Sequence, residues 1–136
     1  DFSHDKVREV VYRDIGGARR KLLHRSVAEA LERRGEGEAH ERDARLAEHY
    51  ERAQVWSKAL EYLVLAGERS QALFAMRDAL HWFDRAVALS EAHPEALNDR
   101  ARLALYERRG GARAQAGLTE GAVADIRRIL AETADR

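Results

Sequence analysis

Cysteine is absent from this 136-residue chain, and proline and methionine occur once each. Without cysteine there are no structural disulfides and no thiolate metal sites, which suits a reducing compartment and sets a cytoplasmic expectation. No apolar run approaches the ~20 residues of a membrane span, and no secretory signal pattern opens the chain, so no membrane partner is expected. Excess charge is also missing, with 24 basic side chains against 24 acidic ones. Direct nucleic-acid binding needs clustered positive charge. The basic groups Arg19-Arg20-Lys21, Arg33-Arg34, Arg108-Arg109 and Arg127-Arg128 are instead interleaved with acids and have few aromatic neighbours for base stacking. Asn-Gly and Asp-Gly hairpin turns between alternating apolar runs do not occur.

What is abundant is Ala, Leu, Glu and Arg, the composition of helices. The fold class expected is all-α, with about seven helices. Val7, Val10, Val11 and Asp14 lie on a first helix that Ser3 can cap and that Gly16-Gly17 breaks. Further helices are expected over 18–34, 41–54, 57–74 and 77–92, with Leu22, Leu23, Val27, Ala30 and Leu31 forming the apolar stripe of the second. Pro94 can restart the chain into a long helix over 95–116, weakened at Gly110-Gly111. Thr119 then caps a last helix that closes over 121–131.

Three of these segments share one spacing: Ala59-x3-Leu63-x2-Ala66, Ala79-x3-Phe83-x2-Ala86 and Ala122-x3-Ile126-x2-Ile129. A small residue lets a neighbouring helix approach, and a large one fills the gap between the axes. Repetition of that device predicts a stack of helix pairs rather than an enzyme pocket.

The units starting at His40, Leu60 and Leu103 resemble tetratricopeptide repeats (TPR) through Ala47, Ala59 and Leu63, through Gly67, Ala79 and Phe83, and through Gly110, Ala122 and Ile126. The resemblance implies antiparallel helix pairs stacked as a right-handed α-solenoid. At the front, Phe2-Ser3-His4-Asp5-x-Val7-Arg8-Glu9-x2-Tyr12 and Arg19-Arg20-x-Leu22-x-His24-x2-Val27-Ala28 are similar to a junction in large bacterial signalling ATPases of the STAND/AAA type, LuxR-type transcriptional activators among them. The similarity continues through Leu46-Ala47-Glu48-His49-Tyr50 to Ala66-Gly67-Glu68. It implies connector helices over 1–37 that follow a winged-helix and ATPase module, then repeats over 38–136. The implied role is that of a protein-interaction and regulatory domain with a protein or peptide partner, its own ATPase module included, and with homodimerisation through an uncovered Phe2–Val7–Val10–Val11 patch. The alternatives are a small-ligand effector-sensing domain and a free-standing scaffold. In such repeats the first helix of each pair lines a groove, which the resemblance places at Ala44, Glu48, Glu51 and Arg52 and at Glu61, Val64, Glu68 and Gln71. That mildly acidic lining implies a basic or neutral guest.

No catalytic or cofactor role is expected. There is no G-x4-G-K-[ST] phosphate loop, since Gly35-Glu36-Gly37 lacks the lysine and hydroxyl. No Gly-x-Ser-x-Gly elbow or Cys–His pair supplies a nucleophile. His40 and His49 lie nine residues apart, which is not one helical turn, so no metal is assigned to them. His24, beside the apolar stripe of the second helix, reads as a packing residue with a hydrogen-bonded partner, and Glu48 and Arg52, with Glu61 and Arg69, as surface charges.

Overall fold

The computed structural model describes residues 2–14, 16–35 and 37–135; the side chains of Phe2 and of residues 11–14, and with them the Phe2 and Val11 contributions to the N-terminal patch, lie outside the described residues. The protein is all-α. The described residues form seven helices, α1 (Phe2–Asp14), α2 (Gly17–Arg34), α3 (Ala39–Arg52), α4 (Trp56–Ala72), α5 (Met76–Ala92), α6 (Asp99–Gln115) and α7 (Thr119–Ala134), with a 3₁₀ turn at Pro94–Ala96 between α5 and α6. Among the described residues there is no strand, and no helix is long and apolar enough to cross a membrane.

Several boundaries correct the sequence reading. Pro94 opens only the 3₁₀ turn; α6 starts later because the Asn98 side chain accepts a hydrogen bond from the Ala101 amide at 2.8 Å and caps it. Thr119 does not cap α7 but lies inside it, and Ser3 likewise lies inside α1. The chain enters α7 through a backbone bond from Leu118 N–H to the Arg113 carbonyl, at 2.7 Å. That closure recurs. Val55 N–H bonds the Tyr50 carbonyl and Ala75 N–H the Ser70 carbonyl, both at 2.9 Å. Each time the preceding residue, Gln54, Phe74 or Gly117, takes a positive φ.

Each helix from α2 to α6 packs extensively on the next one in sequence, and among the described residues α1 makes no comparable contact. The 37/38 boundary therefore falls in a turn across which α2 is packed on α3. The shared spacing places Ala59, Leu63, Ala66, Ala79, Phe83, Ala86 and Ala122 in the interior, as the small-and-large device requires. Its tightest point is between α4 and α5. A Cβ added at Gly67 would lie 2.5 Å from Cε1 and 2.7 Å from Cδ1 of Phe83. Gly110 serves α6 and α7 in the same way, and its absent Cβ would meet Asp125 Cβ at 3.3 Å, so α6 runs unbroken through Gly110-Gly111. The third copy differs at Ile126, which is exposed; among the described residues α7 packs extensively on α6 alone. The stripe of α2 is also rotated from expectation. Leu22 and Leu23 face solvent, and His24, Ala28 and Leu31 turn toward α3.

Polar links reach back two helices at a time. Lys58 pairs with Glu32 at 3.6 Å, Arg85 with Glu51 at 2.8 Å, Arg108 with Glu68 at 2.7 Å and Arg128 with Glu91 at 3.0 Å. They set α4 beside α2 and α6, and α5 beside α3 and α7. Two buried acids are held by arginines from adjoining turns or helices. Asp43 accepts from Arg69 across α3 and α4. Asp125 accepts from Arg109 at 2.6 and 3.1 Å and from Arg113 at 3.0 Å. Arg69 therefore serves Asp43 rather than Glu61, while Glu48 and Arg52 do pair, at 2.8 Å.

His24 finds its partner in a second imidazole: its Nδ1 lies 3.1 Å from Nδ1 of His49, across α2 and α3. Burial lowers both pKa values from the ordinary 6.5; the other imidazole and Arg52 push His24 further down, and Arg52 and Arg45 do so for His49, with Glu48 opposing in both cases. Lowered values mean that the unfolded chain binds protons first. Stability from this contact is complete above pH ~6.5 and is lost as pH falls through the lower folded values. The urea midpoint is expected to fall from pH 7 to 5.5, and His24→Gln to flatten that dependence; an unchanged slope in the variant would remove the histidine pair as its source.

Two of the helical glycines, Gly67 and Gly111, predict opposite outcomes in urea denaturation. Gly67→Ala must displace the Phe83 ring and lowers stability by about 2–3 kcal/mol. Gly111 has nothing within 4 Å of its absent Cβ, so Gly111→Ala raises stability by about 1 kcal/mol through helix propensity alone.

Candidate functional site

Two troughs follow from the placement of alternate helices. The first runs between α4 and α6, with a volume of about 420 Å³. Its lining includes Leu60 and Leu105, both buried, with Val64 and Leu65 on the α4 side and Leu97, Ala101 and Ala104 on the α6 side. Glu61, Glu68 and Arg108 supply its charges. A further hollow of about 410 Å³ shares Ala104 and Arg108 with the first and adds Gln71, Glu107 and Gly111. The Gln71 amide donates to Gln115 at 2.7 Å and ties α4 to α6 beyond it. From Ser57 to Gln71 the α4 wall is roughly 21 Å long at 1.5 Å per residue.

The second trough, about 480 Å³, lies between α3 and α5. Ala44, Arg45, Glu48, Glu51 and Arg52 line it from α3, and Trp82 and Arg85 from α5. It is the more polar of the two, with three guanidiniums to two carboxylates. The Trp82 ring has the Arg85 guanidinium 5.5 Å from its centre and His40 edge-on at 6.1 Å. His40 Nδ1 is buried without a hydrogen-bond partner.

The eight groove residues expected from the sequence are thus divided. Ala44, Glu48, Glu51 and Arg52 share the α3–α5 trough. Glu61, Val64 and Glu68 share the α4–α6 trough, and Gln71 lies in the hollow that continues it. The two sets belong to different trough walls because α3 has α5 as its lateral neighbour and α4 has α6. Trp82 lies one step off the Ala79–Phe83–Ala86 stripe, a position that offers either packing or a partner anchor; what sequence reasoning missed is Arg85 beside it and the wall from Leu97 through Arg108. The available signal for α6 was its excess of apolar positions: Ala101 and Ala104 flank the core positions Leu105 and Tyr106 and widen its apolar face beyond one stripe.

Among the described residues no three His, Asp or Glu side chains are grouped as a metal site would require. The troughs offer an apolar floor with charged rims, and an aromatic face among arginines. Comparison of the chain with protein-family models, with curated proteins and with solved structures gives no match.

The Glu68–Arg108 pair spans the first trough with both side chains partly solvated, at 38% and 45% exposure. A double-mutant cycle in the free protein is expected to give a coupling of about 0.2–1 kcal/mol that weakens as salt rises. A coupling above about 2 kcal/mol would mean that the trough is closed to water and is not a docking surface.

Proposed function

We propose that this chain is a protein-interaction and regulatory domain, a TPR-like right-handed α-solenoid of antiparallel helix pairs within a multidomain ATPase-type transcriptional or signalling regulator. It binds a protein or peptide segment, the regulator's own ATPase module included, and biases an inactive–active equilibrium by contacting one state more than the other. The observation that carries this reading is the α4–α6 trough. It has an apolar floor at Leu60 and Leu105, a helix-length wall and sparse charge, the features by which a groove takes an amphipathic segment. With Glu61 and Glu68 against one arginine, the lining is mildly acidic, and the guest that suits it is apolar on one face with basic flanks.

One observation favours a small effector instead. In the α3–α5 trough the Trp82 ring stands beside Arg45, Arg52 and Arg85, a setting for a planar anionic molecule.

The two readings separate in one titration. Trp56 adjoins Ser57 in the α4–α6 wall and stacks on His93 at 3.8 Å, so its emission in a Trp82→Phe background reports that trough. A synthetic 14-residue helical peptide with leucines on one face and lysine flanks is expected to bind, and its glutamate-flanked counterpart to bind at least ~10-fold more weakly. Glu68→Lys together with Glu61→Lys should reverse the preference, and Glu48→Lys should leave it unchanged. If neither peptide binds, or if only Glu48→Lys alters binding, the α4–α6 assignment is wrong.

A further inference from the structure

The two troughs differ in how their charges are paired. In the α4–α6 trough every charged side chain of the lining has a partner, Glu68 in Arg108 at 2.7 Å and Glu61 in Lys58 at 3.7 Å. In the α3–α5 trough both carboxylates are also engaged, Glu51 by Arg85 and Glu48 by Arg52, each at 2.8 Å. The third guanidinium there, Arg45, is joined to no carboxylate among the described residues. One positive charge of this trough is left over.

That charge shares the trough with an aromatic wall. Phe83 takes the interior position of α5, which leaves its neighbour Trp82 on the flank toward α3, packed against the core on one side and lining the trough on the other. The Arg85 guanidinium lies 5.5 Å from the centre of the indole ring.

These two facts decide the sign of a ligand. A cation would find both carboxylates taken and three guanidiniums around it, one of them already beside the ring that attracts cations. An anion finds Arg45 unpaired, and a carboxylate matches the fork of a guanidinium with two parallel hydrogen bonds. A flat ring can meanwhile lie offset on the indole, a favourable arrangement of two aromatic faces. The trough, about 480 Å³, has the size of a small-molecule site, and its single unpaired guanidinium matches one negative charge rather than several.

We propose that the α3–α5 trough binds an aromatic monocarboxylate, its ring stacked on Trp82 and its carboxylate held by Arg45. The proposal rests on the small-effector reading of that trough, and it adds the number of charges and the residue that reads them. Arg52 and Arg85 keep their acids, so Arg45 distinguishes the acid from a neutral ring of the same shape. The α4–α6 trough is untouched, and its peptide and the acid can be held together.

The indole N–H signals of the two tryptophans in ¹H–¹⁵N spectra of the intact chain test this at ~150 mM salt, with Trp82→Phe identifying which signal is which. Three unlabelled probes share one ring system: indole-3-propionate is an anion, indole-3-ethanol is neutral and tryptamine is a cation. Indole-3-propionate is expected to move the Trp82 signal saturably with a midpoint near ~1 mM, leaving Trp56 in place, and the other two to bind at least ~5-fold more weakly. Arg45→Gln, at an exposed position, is expected to remove that preference while helical circular dichroism and the response to indole-3-ethanol stay unchanged. If indole-3-ethanol or tryptamine matches the acid, or if Arg45→Gln leaves the preference intact, the proposal is overturned while a small-molecule trough stands. If no probe moves the Trp82 signal up to ~20 mM, or if Trp56 moves equally, the small-effector reading falls with it.

Discussion

The Phe83 ring occupies the space that a side chain at Gly67 would need, and the arrangement of α3 through α6 depends on that contact. It draws α5 onto α4 close enough for Ala59, Ala79 and Ala86 to be sealed from water. With α5 in place, Arg85 meets Glu51 on α3 and α6 is carried to where Arg108 meets Glu68 on α4. The troughs exist because alternate helices are held side by side by such surface pairs, while sequential helices are held by apolar contact. Strong forces set the neighbours, and weak ones set the spaces between them.

Much of the helical order is legible in the sequence, because a 3.6-residue period and small-large alternation are local properties of the chain. The fourth and fifth helices fall within about two residues of their expected limits. Ala59–Leu63–Ala66 and Ala79–Phe83–Ala86 point inward, as their spacing indicates. What escapes the sequence is decided by partners elsewhere. Nothing in the sequence singles out Asp43 and Asp125, the acids over which Arg69, Arg109 and Arg113 close. Leu22 and Leu23 read as core until His24 is found turned toward His49. Asn98 rather than Pro94 starts α6 because its side chain can bond the Ala101 amide, a choice periodicity does not record.

The eight groove positions illustrate the limit most clearly. The repeat spacing makes α4 the second helix of one unit and the first helix of the next, so its residues join those of α3 in a single groove. Lateral neighbours separate them, because a trough wall is completed by the helix two places along. One wall of each trough holds residues named from the repeat spacing, and the facing wall does not. A spacing motif describes how one helix meets the next; it carries no information about the one after that.

Packing confined to consecutive helices also has a kinetic consequence. Nearly all extensive contacts join residues one helix apart in sequence, so loop closure costs little and any adjacent pair can nucleate the fold. Structure then spreads outward from α4 and α5, where the interior is most complete. Its loss begins at the outer helices, since among the described residues α2 and α7 each pack extensively on one neighbour. Amide exchange should therefore grade from slow at the middle to fast at both ends, a gradient written by topology rather than by any single bond.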